Sequence, residues 1–359
     1  MEQYKNFMAQ FEKGHLVGVD IGLSAIKVAQ LSKSKKTYKL DKYVSIPLSE
    51  AAIIEDEVQK PEEIIAAIKR AFSKAKIKTK IVNIGMDGPN TMTKRLQVPD
   101  GSKDEVEDNI IWESEQYIPF GAEDSEIDYY IIDDIQELEV KDVIVGALRS
   151  DTAEKYVKYA ESSGLFPRVV DLNVFAISNI FEHVLEDDLG IYKEEGVILI
   201  DFGAQTTTVI VYKNGGPLLT KEINVGGVLI TEEIQRVMGV SYEEAEDLKI
   251  FNNDTENLPE EILQIIYKQI ESQISEIKKV LNFYIAAGSS EQITNCLVMG
   301  GGSKLPGLLD QLDTLIGGSV EVFNLFDRIE YDQKNFSERD IEQIARMGIV
   351  SIGLGMRSV

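Results

Sequence analysis

The sequence predicts an α/β protein built twice over, with two lobes, and three stretches carry that expectation. Leu16 to Gln30, LVGVDIGLSAIKVAQ, reads as two short β-runs joined by a tight turn. Val197 to Tyr212, VILIDFGAQTTTVIVY, repeats the plan: an apolar run ending in an acid, an apolar residue and glycine, then small polar residues and a second β-run. Leu297 to Leu312, LVMGGGSKLPGLLDQL, sends an apolar strand into three glycines, with Pro306 where a helix begins.

Each stretch has its own chemistry. In the first, Asp20 stands at a strand end beside the lightly covered amides of Gly22, Leu23 and Ser24. Exposed amides of this kind bind phosphate oxygens, and a neighbouring carboxylate holds water on a divalent cation. Lys27 points back toward the turn, where its charge would neutralise a phosphate. Taken alone, an ordinary Gly-turn hairpin with one acid explains this stretch equally well. The second copy breaks the tie, since Asp201-Phe202-Gly203 is followed by the hydroxyls of Thr206, Thr207 and Thr208. Two such hairpins facing each other would grip a polyphosphate, with Asp20 and Asp201 flanking one cation. The glycines Gly300, Gly301 and Gly302 would let backbone approach a flat ligand.

In this order the elements resemble the actin and sugar-kinase ATPase superfamily. Within it the chain most resembles the PilM family, the cytoplasmic actin-like proteins of type IV pilus assembly. The narrower resemblance rests on IIWESEQYIPF (Ile110 to Phe120), the following acidic stretch with Asp128-Tyr129-Tyr130, VVDLNVFAISNIF (Val169 to Phe181) and GIVSIGLGMR (Gly348 to Arg357). It implies an actin-like ATPase fold: two ribonuclease-H-like lobes around a nucleotide cleft, an inserted α+β subdomain in the first lobe and a mostly helical subdomain in the second. The implied boundaries are 1–90 with 167–190 and 340–359 for the first lobe, and 91–166 for the insert. The second lobe takes 191–239 with 293–339, and its helical subdomain 240–292.

The resemblance also implies ATP and Mg²⁺ as cofactors. Adenosine would lie on Gly300-Gly301-Gly302 with Lys304 beside it, phosphates between the hairpins, and Mg²⁺ between Asp20 and Asp201. SYEEAEDLK (Ser241 to Lys249) resembles the family's helix beside the nucleotide. Glu246 and Lys249 are three apart on it, hence on one face, within reach of ribose or adenine; an exposed face of mixed charge explains them nearly as well. In the superfamily the segment at Val169 to Ile180 carries the residue that orients the attacking water. Matching Phe175-Ala176 puts Asn173 there, with Asp171 two residues earlier. An amide is neither a general base nor the usual acid, so the expectation is ATP binding with slow or no hydrolysis.

The implied partner is the cytoplasmic N-terminal peptide of the inner-membrane protein PilN, bound as an extended segment at the insert, with pilus motor and alignment proteins beyond it. That would hold the chain at the inner face of the cytoplasmic membrane without insertion, as a monomer or a homo-oligomer. Trp112, Tyr117, Ile118 and Phe120 give the insert an aromatic patch. Either these residues fill its small core, the reading preferred for Trp112, or they form a surface near a sheet edge that receives the peptide. A polymerising ATPase like the cell-division protein FtsA is the second reading, although that class ends in a linker and amphipathic membrane helix that GLGMRSV leaves no room for. A metabolic kinase of the sugar-kinase branch ranks third, with Asp171 its sole candidate base. The related cytoplasmic domain of type II secretion systems is a variant of the first reading.

Composition bounds these choices. The chain has 359 residues, enough for two or three domains. Its formal charge of −24 argues against nucleic acid or a direct grip on an anionic membrane. One cysteine, Cys296, excludes an intrachain disulfide and reads as a buried strand residue. Two histidines argue against a histidine metal cluster. An N-terminal helix carrying Tyr4, Phe7, Met8 and Phe11 is expected to pack on its own domain.

Between the signature stretches, strands are expected at Tyr38 to Ile46 and Lys80 to Ile84, and a helix at Pro61 to Lys74. Gly88-Pro89-Asn90 marks a break, after which the insert reads as helix Lys103 to Tyr117, β-runs Ile127 to Asp133 and Asp142 to Leu148, and helix Thr152 to Ser163. The second lobe follows with helices Leu229 to Met238 and Glu260 to Ala287, a loop at Asn252-Asn253-Asp254, and a β-run at Val320 to Phe323. A surface loop at Asp327 to Arg339 precedes a last helix, Ile341 to Leu354, whose small residues Ala345, Gly348, Ser351 and Gly353 suit close packing at a hinge.

Overall fold

A computed structural model describes residues 16–33, 37–54, 57–135, 138–186, 192, 194–250, 258–286 and 293–357. The expected N-terminal helix and the loop at 252–254 lie outside the described residues.

The chain opens with the strands β1 (Leu16–Ile21), β2 (Ala25–Lys33) and β3 (Tyr38–Pro47), then the two-residue strands β4 (Ile53–Ile54) and β5 (Glu57–Val58). Next come α1 (Pro61–Ala75), which starts on Pro61 with Glu62 and Glu63 in its first turn and buries Ile64, Ile68 and Phe72, and β6 (Ile81–Met86). The insert comprises β7 (Thr91–Pro99), α2 (Lys103–Glu115), β8 (Ser125–Ile135) and β9 (Val140–Arg149). The chain returns through α3 (Ser150–Ser162), β10 (Phe166–Leu172) and α4 (Asn173–Val184). Then follow β11 (Val197–Phe202), β12 (Thr207–Lys213), β13 (Gly216–Ile223), α5 (Gly227–Met238), α6 (Tyr242–Ile250) and α7 (Glu260–Ala286). The last elements are β14 (Asn295–Met299), α8 (Leu308–Ile316), β15 (Ser319–Val322), β16 (Glu330–Tyr331), α9 (Glu338–Met347) and α10 (Ile349–Met356).

The duplication is written in the sheets. One has the order β10-β6-β1-β2-β3-β16 and the other β13-β12-β11-β14-β15. Each has an antiparallel three-strand meander whose first strand continues into two parallel strands, with β16 added to the edge of the first sheet.

The chain divides into two compact units. The first holds Met1–Asp87, Asp151–Glu186 and Asn324–Val359, the second Gly88–Ser150 and Asp187–Phe323. In the first, Val17, Val19, Ile26, Val28, Ile64, Ile68, Val82 and Ile84 make the buried core. Gly353 of α10 lies against α4 so closely that a Cβ there would stand 2.1 Å from the Ala176 carbonyl oxygen. The small residues expected at a hinge are therefore used to pack helices inside this unit.

In the second unit Ile198, Ile200, Val209, Val211, Ile266, Ile270, Ile277 and Val298 form the core. The insert is bonded into it. Arg95 of β7, paired with Asp142 at 2.9 Å through Nε, also donates through Nη1 to the Lys213 carbonyl at 2.8 Å and through Nη2 to that of Asn214 at 3.0 Å. Cys296 is buried there and its thiol is pushed up to about 12 by desolvation, as suits a strand residue packed in the core.

Several expectations need correction. The insert has three strands, because β7 was not foreseen: Lys94 interrupts its apolar row, yet its Nζ lies 4.4 Å from the centre of the Tyr117 ring and is satisfied there. Strand β13 was also missed, since Gly216-Pro217 reads as a break but is tolerated on a sheet edge. Helix α2 stops at Glu115, short of Tyr117. The final helix is two, split at Gly348: polar α9 buries Ile344 alone, whereas α10 is buried from Ile349 to Met356 save Val350. The surface loop expected at Asp327 to Arg339 contains β16, parallel to β3.

Candidate functional site

In the first unit Asp20 stands one residue from the end of β1 and is buried, 4% exposed. The register places Lys27 directly opposite, and its Nζ donates to Asp20 Oδ2 at 2.9 Å. The turn closes through the Gly22 N–H, which donates to the Ala25 carbonyl at 3.2 Å. Gly22 thus spends its amide on the turn rather than on a ligand, and the amides of Leu23 and Ser24 lie outside that closing bond. Of the two residues expected near the attacking water, Asp171 is engaged elsewhere: Oδ1 accepts from the Leu172 N–H and Oδ2 pairs with Arg357 Nε, both at 2.9 Å. It anchors the end of α10. Asn173 opens α4 and donates through Nδ2 to Asp87 Oδ2 at 2.9 Å. Sequence reasoning missed Asp87; the signal was an acid directly after a buried strand.

The second unit repeats the turn and surrounds it differently. Gly203 N–H donates to the Thr206 carbonyl at 3.0 Å, the same bond four residues long that closes the first hairpin. Thr208, not a lysine, stands opposite Asp201. Parallel pairing sets Asp201 beside Met299, so the glycine loop leaves the sheet next to the acid. Gly300 has φ +88°, and a Cβ on it would lie 2.2 Å from Asp201 Oδ1 and 2.5 Å from the Phe202 carbonyl oxygen. No other residue fits. From the other side, Gly227 and Val228 donate to the carbonyls of Gly203 and Ala204 at 3.1 and 2.8 Å, seating the start of α5 on the turn.

Glu246 and Lys249 lie in this same cluster and not on an open face. Lys249 Nζ donates to Glu246 Oε1 at 2.5 Å, Thr231 Oγ1 at 2.7 Å and the Gly227 carbonyl at 3.0 Å, and Thr231 Oγ1 bonds Glu246 as well. Burial pulls the Lys249 ammonium below its ordinary pKa, with Glu246 opposing the shift. Thr207 is turned inward, 1% exposed, its hydroxyl donating to the Val225 carbonyl at 2.6 Å. It shapes the hairpin. Thr206 closes the acid-tipped turn, a Cβ on Gly302 would lie 2.9 Å from the Phe202 side chain, and Gly301 and Lys304 bound a short helical turn with Lys304 exposed.

Among the described residues no group of three or more His, Cys, Asp or Glu is placed to hold a metal by itself. Single carboxylates such as Asp20 and Asp201 suit a magnesium ion, which keeps most of its water and shares the rest with phosphates.

Residues 18–359 match the family of the type IV pilus assembly protein PilM. The chain belongs to that family. It is similar to the solved PilM–PilN type IV pilus biogenesis complex, with 25% identity and a TM-score of 0.83 over 95% of this chain and 98% of that one. It is also similar to the cell division protein FtsA of Neisseria meningitidis serogroup B (strain ATCC BAA-335 / MC58), 28% identical over 214 residues, which are 52% of this chain and 50% of that protein. FtsA of Enterococcus faecalis (strain ATCC 700802 / V583) is 23% identical over 357 residues, 86% of this chain and 78% of that one. The chain spans half the length of the first of these two relatives. With its two matched sheets, this PilM-family protein has the actin-like ATPase fold, and no described helix is long and apolar enough to cross a membrane.

In this PilM-family chain the WESEQYIPF stretch divides by helical phase. Val106, Ile110 and Ser114 of α2 recur every four residues and are buried, the first two against Leu96, Val98, Val143 and Val145. Trp112 therefore points the other way and is 68% exposed, which overturns its core-filling reading. Tyr117 is exposed beneath the Lys94 ammonium and Phe120 is half-buried. Ile118, taken as a partner residue, is buried and belongs to the core. The sheet order β7-β9-β8 leaves β8 on an edge. From Asp100 to Glu139 the chain carries fifteen acids and a single base, Lys103.

Proposed function

We propose that this chain is a nucleotide-binding scaffold of type IV pilus assembly that takes ATP with Mg²⁺ and presents its insert to the cytoplasmic N-terminal peptide of a PilN-type membrane protein. The nucleotide half is carried by Gly300 pressed onto the Asp201 carboxylate, which brings the glycine loop against the acid-tipped turn. Asp20 and Asp201 would hold the water around the cation, Leu23 and Ser24 the phosphates, and the glycine loop the adenosine. The cation supplies charge neutralisation along the polyphosphate. Nucleotide that favours one arrangement of the lobes would change what the insert offers to partners.

Likeness to a PilM solved with PilN supports the partner half, and the exposure of Trp112 and Tyr117 supports the insert as its docking surface. Cytoplasmic flanks of membrane-spanning helices are rich in Lys and Arg, so the acid-rich surround of this aromatic surface suits such a peptide. The chain would then sit at the membrane through its partner. Titration of a labelled PilN N-terminal peptide by fluorescence anisotropy tests this. Trp112→Ala with Tyr117→Ala is expected to weaken binding about tenfold or more, and unchanged affinity would refute the docking site. Likeness to FtsA favours a second reading, a polymer that forms with ATP, which sedimentation with and without nucleotide would reveal.

A further inference from the structure

We infer that Asp87 is the acid of the first lobe that faces the terminal phosphate of a bound nucleotide, holding cation-bound water on its carboxylate, and that Asn173 is the residue that positions it. The inference rests on the nucleotide-binding reading above.

Strands β1, β6 and β10 run parallel, and their carboxyl ends gather three acids at one edge of the sheet. Ligands of open α/β sheets lie outside that edge. Asp20 faces Lys27 at 2.9 Å across the hairpin. Asp171 is 5% exposed with both oxygens engaged, one by its neighbour's amide and one by Arg357. Asp87 is placed differently. It follows the last residue of β6, is half-buried rather than enclosed, and stands level with the start of α4, since Leu172 pairs with Met86 one step before.

Asn173 is built to hold it. Its Nδ2 donates to Asp87 Oδ2 at 2.9 Å. Its Oδ1 is packed over Gly85, where a Cβ would lie 2.1 Å away, and is buried without a hydrogen-bond partner. Leu354 of α10 closes the same space, 2.8 Å from that Cβ position. An amide fixed by packing on one side and donating on the other aims the carboxylate it bonds. The amide at the water-orienting position therefore leads to an acid one strand away.

Calorimetric titration of the full chain with ATP and with ADP, each with and without magnesium, tests the inference. Asp87→Asn removes the charge and keeps an acceptor for Asn173. It is expected to weaken magnesium-ATP about tenfold, while magnesium-ADP stays within about twofold and the melting temperature is retained. Asn173→Ala should shift the ATP affinity in the same direction by less. If Asp87→Asn binds magnesium-ATP as the wild type does, or weakens ATP and ADP alike, the inference is overturned while the nucleotide reading stands. A wild type that binds neither nucleotide would bring down the nucleotide reading itself.

Discussion

The two acid-tipped hairpins share one turn and differ in what surrounds it. In the first lobe Asp20 carries its own countercharge, Lys27, on the facing strand. In the second the facing residue is Thr208, and the acid is met instead by glycine backbone and by the start of α5. Duplication has thus kept the backbone that places a carboxylate at a strand end while the means of shaping a site diverged: a movable charge on one side, a rigid close approach on the other. A lysine adapts to its ligand, whereas a Gly300 whose side-chain space is already filled does not.

Glycine substitutions should expose that difference most strongly. Gly300→Ala combines a left-handed backbone with a contact that cannot be relieved cheaply, and is expected to cost about 4 kcal/mol, read as a shifted denaturant midpoint. Gly22→Ala, whose added Cβ would meet nothing nearer than 3.4 Å, should cost less than about 1 kcal/mol.

The brace on the second lobe comes next. Arg95 and Asp142 are nearly buried, with side chains 7% and 9% exposed, so Arg95→Ala leaves an uncompensated carboxylate and the Lys213 and Asn214 carbonyls without their donor. A loss of about 3 kcal/mol is expected in urea unfolding. Lys27→Met strands Asp20 in the same way at a more accessible site and should cost about 2 kcal/mol. Thr208→Val, its counterpart, should fall within about 0.5 kcal/mol. Equal losses at Lys27 and Thr208 would erase the distinction between the hairpins.

The smallest effect concerns His183 of α4. Burial holds this imidazole neutral, with a folded pKa below the ordinary 6.5, and Arg328 and Lys33 push the same way while Glu186 opposes them. Between the two pKa values the unfolded chain takes up a proton that the folded chain refuses, so stability should fall as pH drops below about 6.5. His183→Phe should flatten that part of the pH profile, and a profile that keeps its slope would show that another group is responsible.

Much of this was legible in the residues. Both hairpins, the glycine loop and α1 announce themselves through alternation, a proline start and a repeated Asp-apolar-Gly. What hid was decided by tertiary contact. Lys94 disguises β7 because its charge is satisfied by an aromatic ring brought in from beyond α2. Residue type alone assigns Trp112 to the core, whereas the spacing of Val106, Ile110 and Ser114 points it outward. The engagement of Asp171 by Arg357, 186 residues later in the chain, and of Thr207 by Val225 could not be read from local pattern at all. Nor could Asp87, whose meaning depends on Asn173 arriving at the start of α4.

The most direct test is whether Asp20 and Asp201 serve one magnesium ion. ATP affinity should be measured by calorimetry across magnesium concentrations for Asp20→Ala, Asp201→Ala and the double variant. If both carboxylates hold water on the same ion, each single change should remove most of the magnesium dependence and the double should be little worse than either alone. Independent, additive losses, or a single variant with full magnesium dependence, would contradict convergence on one nucleotide.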